Sequence, residues 1–230
     1  LNAPMPLRIR KTALLVTVAL MGTPCYAHEE YEDAEEAVMV ASLTTVNQEA
    51  AAAGDAAAQF QLARCYFTGS GIAQSTTKGM EWLRKAADQG YAEAQCQLAE
   101  CYIQGNGVTK NADEACRWWV KAAAQNHLEA MYRLGMAHLS GEGVSKSDTL
   151  GLAWLKRAAA AGNANAQYSL GFCRLQGVNG VQNFAEAAIL FQKAATAGHA
   201  DATFWLAFCK LYGIGIERKP QEAIPLLERA

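Results

Sequence analysis

The sequence predicts an all-α fold: a right-handed α/α solenoid of five 36-residue helix-turn-helix repeats plus an N-terminal capping helix. Three observations predict it. The same pattern restarts at Gly54, Gly90, Asn126, Gly162 and Gly198, always 36 residues apart and without insertion; a fixed period of this size marks a stacked repeat array. One column reads Ala58, Ala94, Ala130, Ala166, Ala202 and another Leu62, Leu98, Leu134, Leu170, Leu206. Small residues at one helical phase let backbones approach, and the leucines fill the space between them. Finally, each half-repeat ends in residues suited to turns and caps.

The chain opens with Arg8, Arg10 and Lys11 before the apolar run 12–22, followed by Thr-Pro-Cys25-Tyr-Ala27. A basic stretch, a short apolar run and a small residue at the cleavage point read as a secretory signal peptide, residues 1–27. The run is too short to span a bilayer comfortably. An uncleaved N-terminal anchor and lipoprotein processing at Cys25 are the competing readings, and Pro24 fits the second poorly. Initiation at Met5 gives an ordinary signal length. Residues 28–36 follow as an acidic leader. Removing three bases with the signal leaves 17 basic against 22 acidic residues, and six of those acids lie in the leader, so the repeat body is nearly neutral. Nothing in this balance suggests a nucleic-acid footprint. Residues 37–53 align with the second helix of a missing earlier copy, with Val46 in a tryptophan column, and read as a helix covering the apolar end of the stack.

The repeats are 54–89, 90–125, 126–161, 162–197 and 198–230. In each, a first helix of roughly a dozen residues stops at Gly69/Gly71, Gly105/Gly107, Gly141/Gly143 or Gly213/Gly215, glycines that take positive φ. The second helix starts behind Ser75, Asn111, Ser147 and Asn183 as N-caps, with Glu114 and Glu186 placed for capping boxes. It carries Trp82, Trp118, Trp154, Leu190 and Leu226 in one expected core column. It closes with Lys85, Lys121, Arg157, Lys193 and Arg229, cations that complement the helix dipole. The fourth copy departs with Gly177-Val178-Asn179-Gly180, and the fifth places Pro225 inside its second helix, where a kink is expected. The chain stops about three residues short of a full fifth copy.

Ala-Glu-Ala-Gln, Leu-Ala, Tyr102, Gly105-Asn-Gly-Val108, Ala115, Trp118 and Lys121-Ala-Ala together closely resemble the Sel-one-like repeat (SLR) family, relatives of the tetratricopeptide repeats. The resemblance covers about 54–230. It implies a protein-binding scaffold, with partners such as envelope-assembly proteins, cell-wall machinery, sensor-kinase ectodomains or host proteins. Some cysteine-rich secreted relatives are credited with β-lactam or peptidoglycan hydrolysis; they pair cysteines within each repeat, which this chain does not.

Candidate chemistry is sparse. Six cysteines remain after the signal: Cys65, Cys101, Cys173 and Cys209 share a column with Ala137, and Cys96 and Cys116 lie in apolar columns. All read as buried thiols; if a bridge exists, Cys116 is its expected end, with Cys96 or Cys101 as the other. No spacing matches a zinc ligand set, so neither metal nor cofactor is expected. His127 and His199 fall in a turn column, and His138 replaces Tyr66 and Tyr102. The alternative function, a hydrolase acting on β-lactam or peptidoglycan substrates, has one lead: Ser75 and Lys78 in Ser-x-x-Lys spacing. Ser75 already occupies the N-cap column, and the partner motifs of such enzymes are missing.

Plotted at 100° per residue, the first helix has two apolar arcs and one arc left for solvent, holding the columns of Glu93, Gln97, Glu100 and Gln104. In related solenoids these helices line the concave groove. The contents of that arc change along the array, from Ala57, Gln61, Arg64 and Thr68 in the first copy to Asp201, Trp205, Phe208 and Tyr212 in the fifth. Large apolar groups on an exposed face mark binding sites. The sequence therefore predicts a protein-binding stripe of Met136, Phe172, Trp205, Phe208 and Tyr212. The competing reading of the last three is packing against a continuation of the chain. The expectation is a non-enzymatic scaffold, periplasmic or secreted, binding a protein or peptide on its first-helix face, with no nucleic acid and no membrane span after signal cleavage.

Overall fold

The computed structural model describes residue 45 and residues 47–229. The signal peptide, the acidic leader and the first part of the capping helix lie outside the described residues. Ten α-helices follow: α1 (Ala56–Thr68), α2 (Thr76–Asp88), α3 (Ala92–Gln104), α4 (Ala112–Ala124), α5 (Leu128–Ser140), α6 (Asp148–Ala160), α7 (Ala164–Gln176), α8 (Phe184–Thr196), α9 (Ala200–Tyr212) and α10 (Pro220–Arg229). A short 3₁₀ turn, Val178–Gly180, joins α7 to α8. Each helix packs on its hairpin partner and on the following helix, so contacts run along the array as an α/α solenoid requires.

Capping follows the sequence. Asn111 and Asn183 accept from the backbone N–H of Glu114 and Glu186 at 3.0 and 2.9 Å, and Ser75 and Ser147 accept more weakly, at 3.4 and 3.3 Å. The reciprocal half of the capping box does not form. The Glu114 carboxylate turns to Arg117 and that of Glu186 to Arg174. The turn column of the histidines is the N-cap of the first helices: His127 and His199 accept through Nδ1 from Ala130 and Ala202, as Asp55 and Asn163 do through oxygen. In the divergent fourth turn, Asn179 at φ 60° takes the left-handed place of the second glycine. Its counterpart Gly143 has no such freedom, because a Cβ there would run into the carbonyl oxygen of Ala112 in the preceding repeat. Helix α10 runs through Pro225 but has 10 residues against 13 in the others.

The alanine and leucine columns are buried in all five copies. The tryptophan column is the margin of the core rather than its centre. Trp118 is buried, but Trp82 and Trp154 are half-buried beneath Lys85 and Arg157, and Lys121 lies 3.6 Å over Trp118. The centre is the next column, Leu83, Trp119, Leu155 and Phe191. At the N-terminal end, residues 47–52 are helical, and Ala51 packs on Ala58 and Leu62.

Candidate protein-interaction face

The arc assigned to solvent is unburied in every copy, from Ala57, Gln61, Arg64 and Thr68 to Asp201, Trp205, Phe208 and Tyr212. Between α5 and α7 it opens into a groove of about 410 Å³. Met136 and Leu139 form one wall, and Tyr168, Ser169, Phe172 and Gln176 the other, with Lys146, Asp148 and Val178 at its end. Beyond Phe172 the apolar surface continues as ring contacts. Trp205 meets Phe172 at 5.4 Å and Phe208 at 5.6 Å, both T-shaped, and Phe208 meets Tyr212 at 4.6 Å. The structure thus brings Phe172, Trp205, Phe208 and Tyr212 into one aromatic strip, with Met136 across the groove from its first member. Trp205 is only half-exposed, because its other side stacks on Phe191 of the core.

Tyr168 was not among the residues the sequence pointed to. It stands in the column of Phe60 and Cys96, which packs on the following repeat; Phe60 meets Tyr91, and Tyr168 stacks on His199 at 4.6 Å. Only its edge reaches the groove, so periodicity alone places it in the core.

The end of the array separates packing surface from exposed face. Ile224 and Leu227 are 58% and 43% exposed, although Met80, Cys116, Leu83 and Leu155 in the matching columns of earlier copies are buried. Those are the positions a following repeat covers. The columns of Trp205, Phe208 and Tyr212 behave differently: their counterparts Ser169, Phe172 and Gln176 stay unburied although a repeat follows them. A continuation of the chain stacked in the same register would leave the strip open.

A second groove, about 340 Å³, lies along α3 and reaches the N-cap of α5, lined by Glu93, Cys96, Gln97, Glu100 and His127 among others. Arg133 Nε lies 2.7 Å from Glu129 and 3.1 Å from Glu100. Burial pushes the Glu100 carboxyl up and Arg133 opposes it.

Nothing in the described residues resembles an activated nucleophile. Ser75 Oγ is engaged as a helix cap, and the Lys78 ammonium lies over the Tyr66 ring at 5.6 Å. All six described cysteines are free thiols, and Cys65 is half-buried where the others are buried. Burial pushes Cys96 up to about 12 and Cys101 to about 11, away from thiolate chemistry. Cys116 donates instead to the Glu142 carbonyl at 3.4 Å. Among the described residues no group of His, Cys, Asp and Glu is arranged to hold a metal ion, and no helix is long and apolar enough to cross a membrane.

Comparison with known proteins agrees with this architecture. No curated protein matches the chain. Among solved structures it is similar to a protective antigen present in uropathogenic Escherichia coli strains, which displays an SLR fold (TM-score 0.76, 28% identity, 81% of this chain and 40% of that one). It is also similar to a Sel1 repeat protein from Oxalobacter formigenes (TM-score 0.74, 29% identity, 81% and 74%). A Sel1 repeat protein from Klebsiella pneumoniae shares the fold (TM-score 0.53, 23% identity, 80% and 90%). The chain therefore spans well under half the length of the E. coli antigen. The Sel1 repeat model matches residues 56–91, 92–127, 128–163, 164–199 and 200–230, the same five units begun two residues later, and the chain belongs to the Sel1 repeat family.

Proposed function

We propose that the protein is a non-catalytic scaffold or adaptor that binds a protein or peptide on its first-helix face, in the periplasm or outside the cell. Sel1 repeat proteins are generally protein-interaction scaffolds. One observation carries the assignment to this face: Met136, Phe172, Trp205, Phe208 and Tyr212 occupy columns that stay unburied where a repeat follows, yet they are large and apolar. Connected aromatics are rigid anchors that lose little side-chain freedom on binding. The basic stretch, short apolar run and Ala27 support export, and the antigen named among the structural neighbours supports exposure outside the cytoplasm.

The test is a crosslinking pull-down from envelope extract with the protein and its Met136→Ser/Phe208→Ser/Tyr212→Ser variant, helicity confirmed by circular dichroism. Trp205 is left in place because it also packs on Phe191. A partner captured by the first and lost by the second supports the reading; equal capture overturns the assignment to this face. Export is tested separately by the mass of the protein recovered from the periplasm, which cleavage after Ala27 places at residue 28 onward.

A further inference from the structure

The two grooves on either side of α5 differ in the charge they carry. On one side Met136, Leu139, Tyr168 and Phe172 form an apolar wall. On the other, Glu93 and Glu100 line the groove, and beside it the Arg133 guanidinium pairs with Glu100 and Glu129. Arg133 lies between Glu129 and Glu100, and among the described residues no cation pairs with Glu93. One oxygen of Glu100 is buried, and it is the one that Arg133 Nε approaches at 3.1 Å. The stem of Lys110, a lysine of the same repeat, lies against Gly105 at the end of α3. A net negative charge in a partly desolvated groove favours a cation brought by a ligand.

Resting on the binding face proposed above, we infer that its ligand is an extended polypeptide segment carrying a bulky apolar residue and, about three residues away, a lysine or arginine. The apolar residue seats between α5 and α7, and the basic residue reaches Glu93 and Glu100 between α3 and α5. The spacing follows from α5 itself. A helix with its side chains is roughly 10–12 Å across, and an extended chain advances about 3.3 Å per residue, so adjacent grooves are three to four residues apart. The apolar anchor supplies affinity and the cation supplies direction and specificity.

Selection of a displayed random peptide library on the mature protein tests this. The expected enriched sequences pair a Phe, Leu, Met or Trp with a Lys or Arg three or four positions away. A synthetic peptide of that consensus is expected to bind the Glu93→Gln/Glu100→Gln variant roughly tenfold more weakly, a loss of about 1.4 kcal/mol. The same peptide with its basic residue replaced by Gln is expected to bind both proteins alike. Glu129 is kept so that Arg133 retains a partner, and circular dichroism checks both variants. If enriched peptides lose binding to the Met136→Ser/Phe208→Ser/Tyr212→Ser variant but carry no basic residue, the charge inference fails while the binding face stands. If they bind that variant unchanged, or if nothing is enriched over the starting library, the binding face itself is wrong.

Discussion

Gln125 donates through Nε2 to Gln95 Oε1 at 2.9 Å, while Gln95 donates to the Ala87 carbonyl at 3.1 Å. The same ladder joins Gln89 to Gln59 at 2.8 Å, and Gln59 to Ala51. Each buried glutamine thus hangs from a carbonyl of the preceding second helix and is completed by a glutamine at the end of its own repeat. Gln167 makes the first bond, to Ala159, but its Oε1 is buried without a partner, because Ala197 stands where Gln89 and Gln125 stand. A buried acceptor left unmade costs about 1–3 kcal/mol.

Ala197→Gln is therefore expected to stabilise the protein by about 1 kcal/mol. Ala197 caps α8 at φ −80°, close to the −75° of Gln89, so the substitution needs no backbone change. A thermal melt checks it: a rise in Tm of about 2–4 °C is expected for a chain of this size. An unchanged Tm would mean that water already serves the oxygen.

How far the sequence was legible depends on what each feature rests upon. The repeat unit, the cap residues and the open arc follow from period and phase, which a backbone must obey. The tryptophan column is core at Trp118 and Leu190, but period and residue type do not show that Trp82 and Trp154 stop at the margin. Adjacent positions lie 100° apart on a helix, and Leu83, Leu155 and Phe191 do not stand out by type. The aromatic strip was readable because its columns are polar in early copies. The acidic groove was not, because Glu93, Glu100 and Glu129 lie on two helices and meet only when α3 and α5 are placed side by side.

The ranking of the two columns is testable by truncation. Leu155 and Trp118 are both buried, so Leu155→Ala is expected to cost about 2–5 kcal/mol and Trp118→Ala about 3–5 kcal/mol. Trp154→Ala, half-buried beneath Arg157, is expected to cost clearly less than either. Denaturant midpoints of the three variants check the ranking. A Trp154 variant as damaged as Leu155→Ala would return the core to the tryptophan column.

Arg174 is the one buried cation of the array, among the described residues, and Glu186 lies 2.8 Å from its Nε. In the first two copies the matching position is Tyr66 or Tyr102, so the fold does not require a charge there. Glu186→Ala is expected to cost about 2–3 kcal/mol, less than a fully buried pair because water reaches the carboxylate side. Arg174→Tyr/Glu186→Ala is expected to recover most of that loss. Chemical denaturation of the single and double variants separates a stranded charge from lost packing, since packing loss alone would make the two costs add.

The cysteines bear on stability at high pH. The ordinary thiol value of 9.0 is pushed up to about 12 at Cys96 and about 11 at Cys101, in both cases chiefly by burial, with nearby carboxylates adding. The native state thus holds these protons more tightly than the unfolded chain. That stabilisation is complete below pH 9 and is lost as pH rises through the native values. Thermal stability is expected to fall between pH 9 and 11, and a Cys96→Ala/Cys101→Ala variant, although lower at pH 7, is expected to fall less steeply. At pH 8, alkylation of the folded protein is expected to reach half-buried Cys65 first. Reaction of Cys96 or Cys101 at the rate of Cys65, followed by mass spectrometry, would show that the array opens locally where the acidic groove is built.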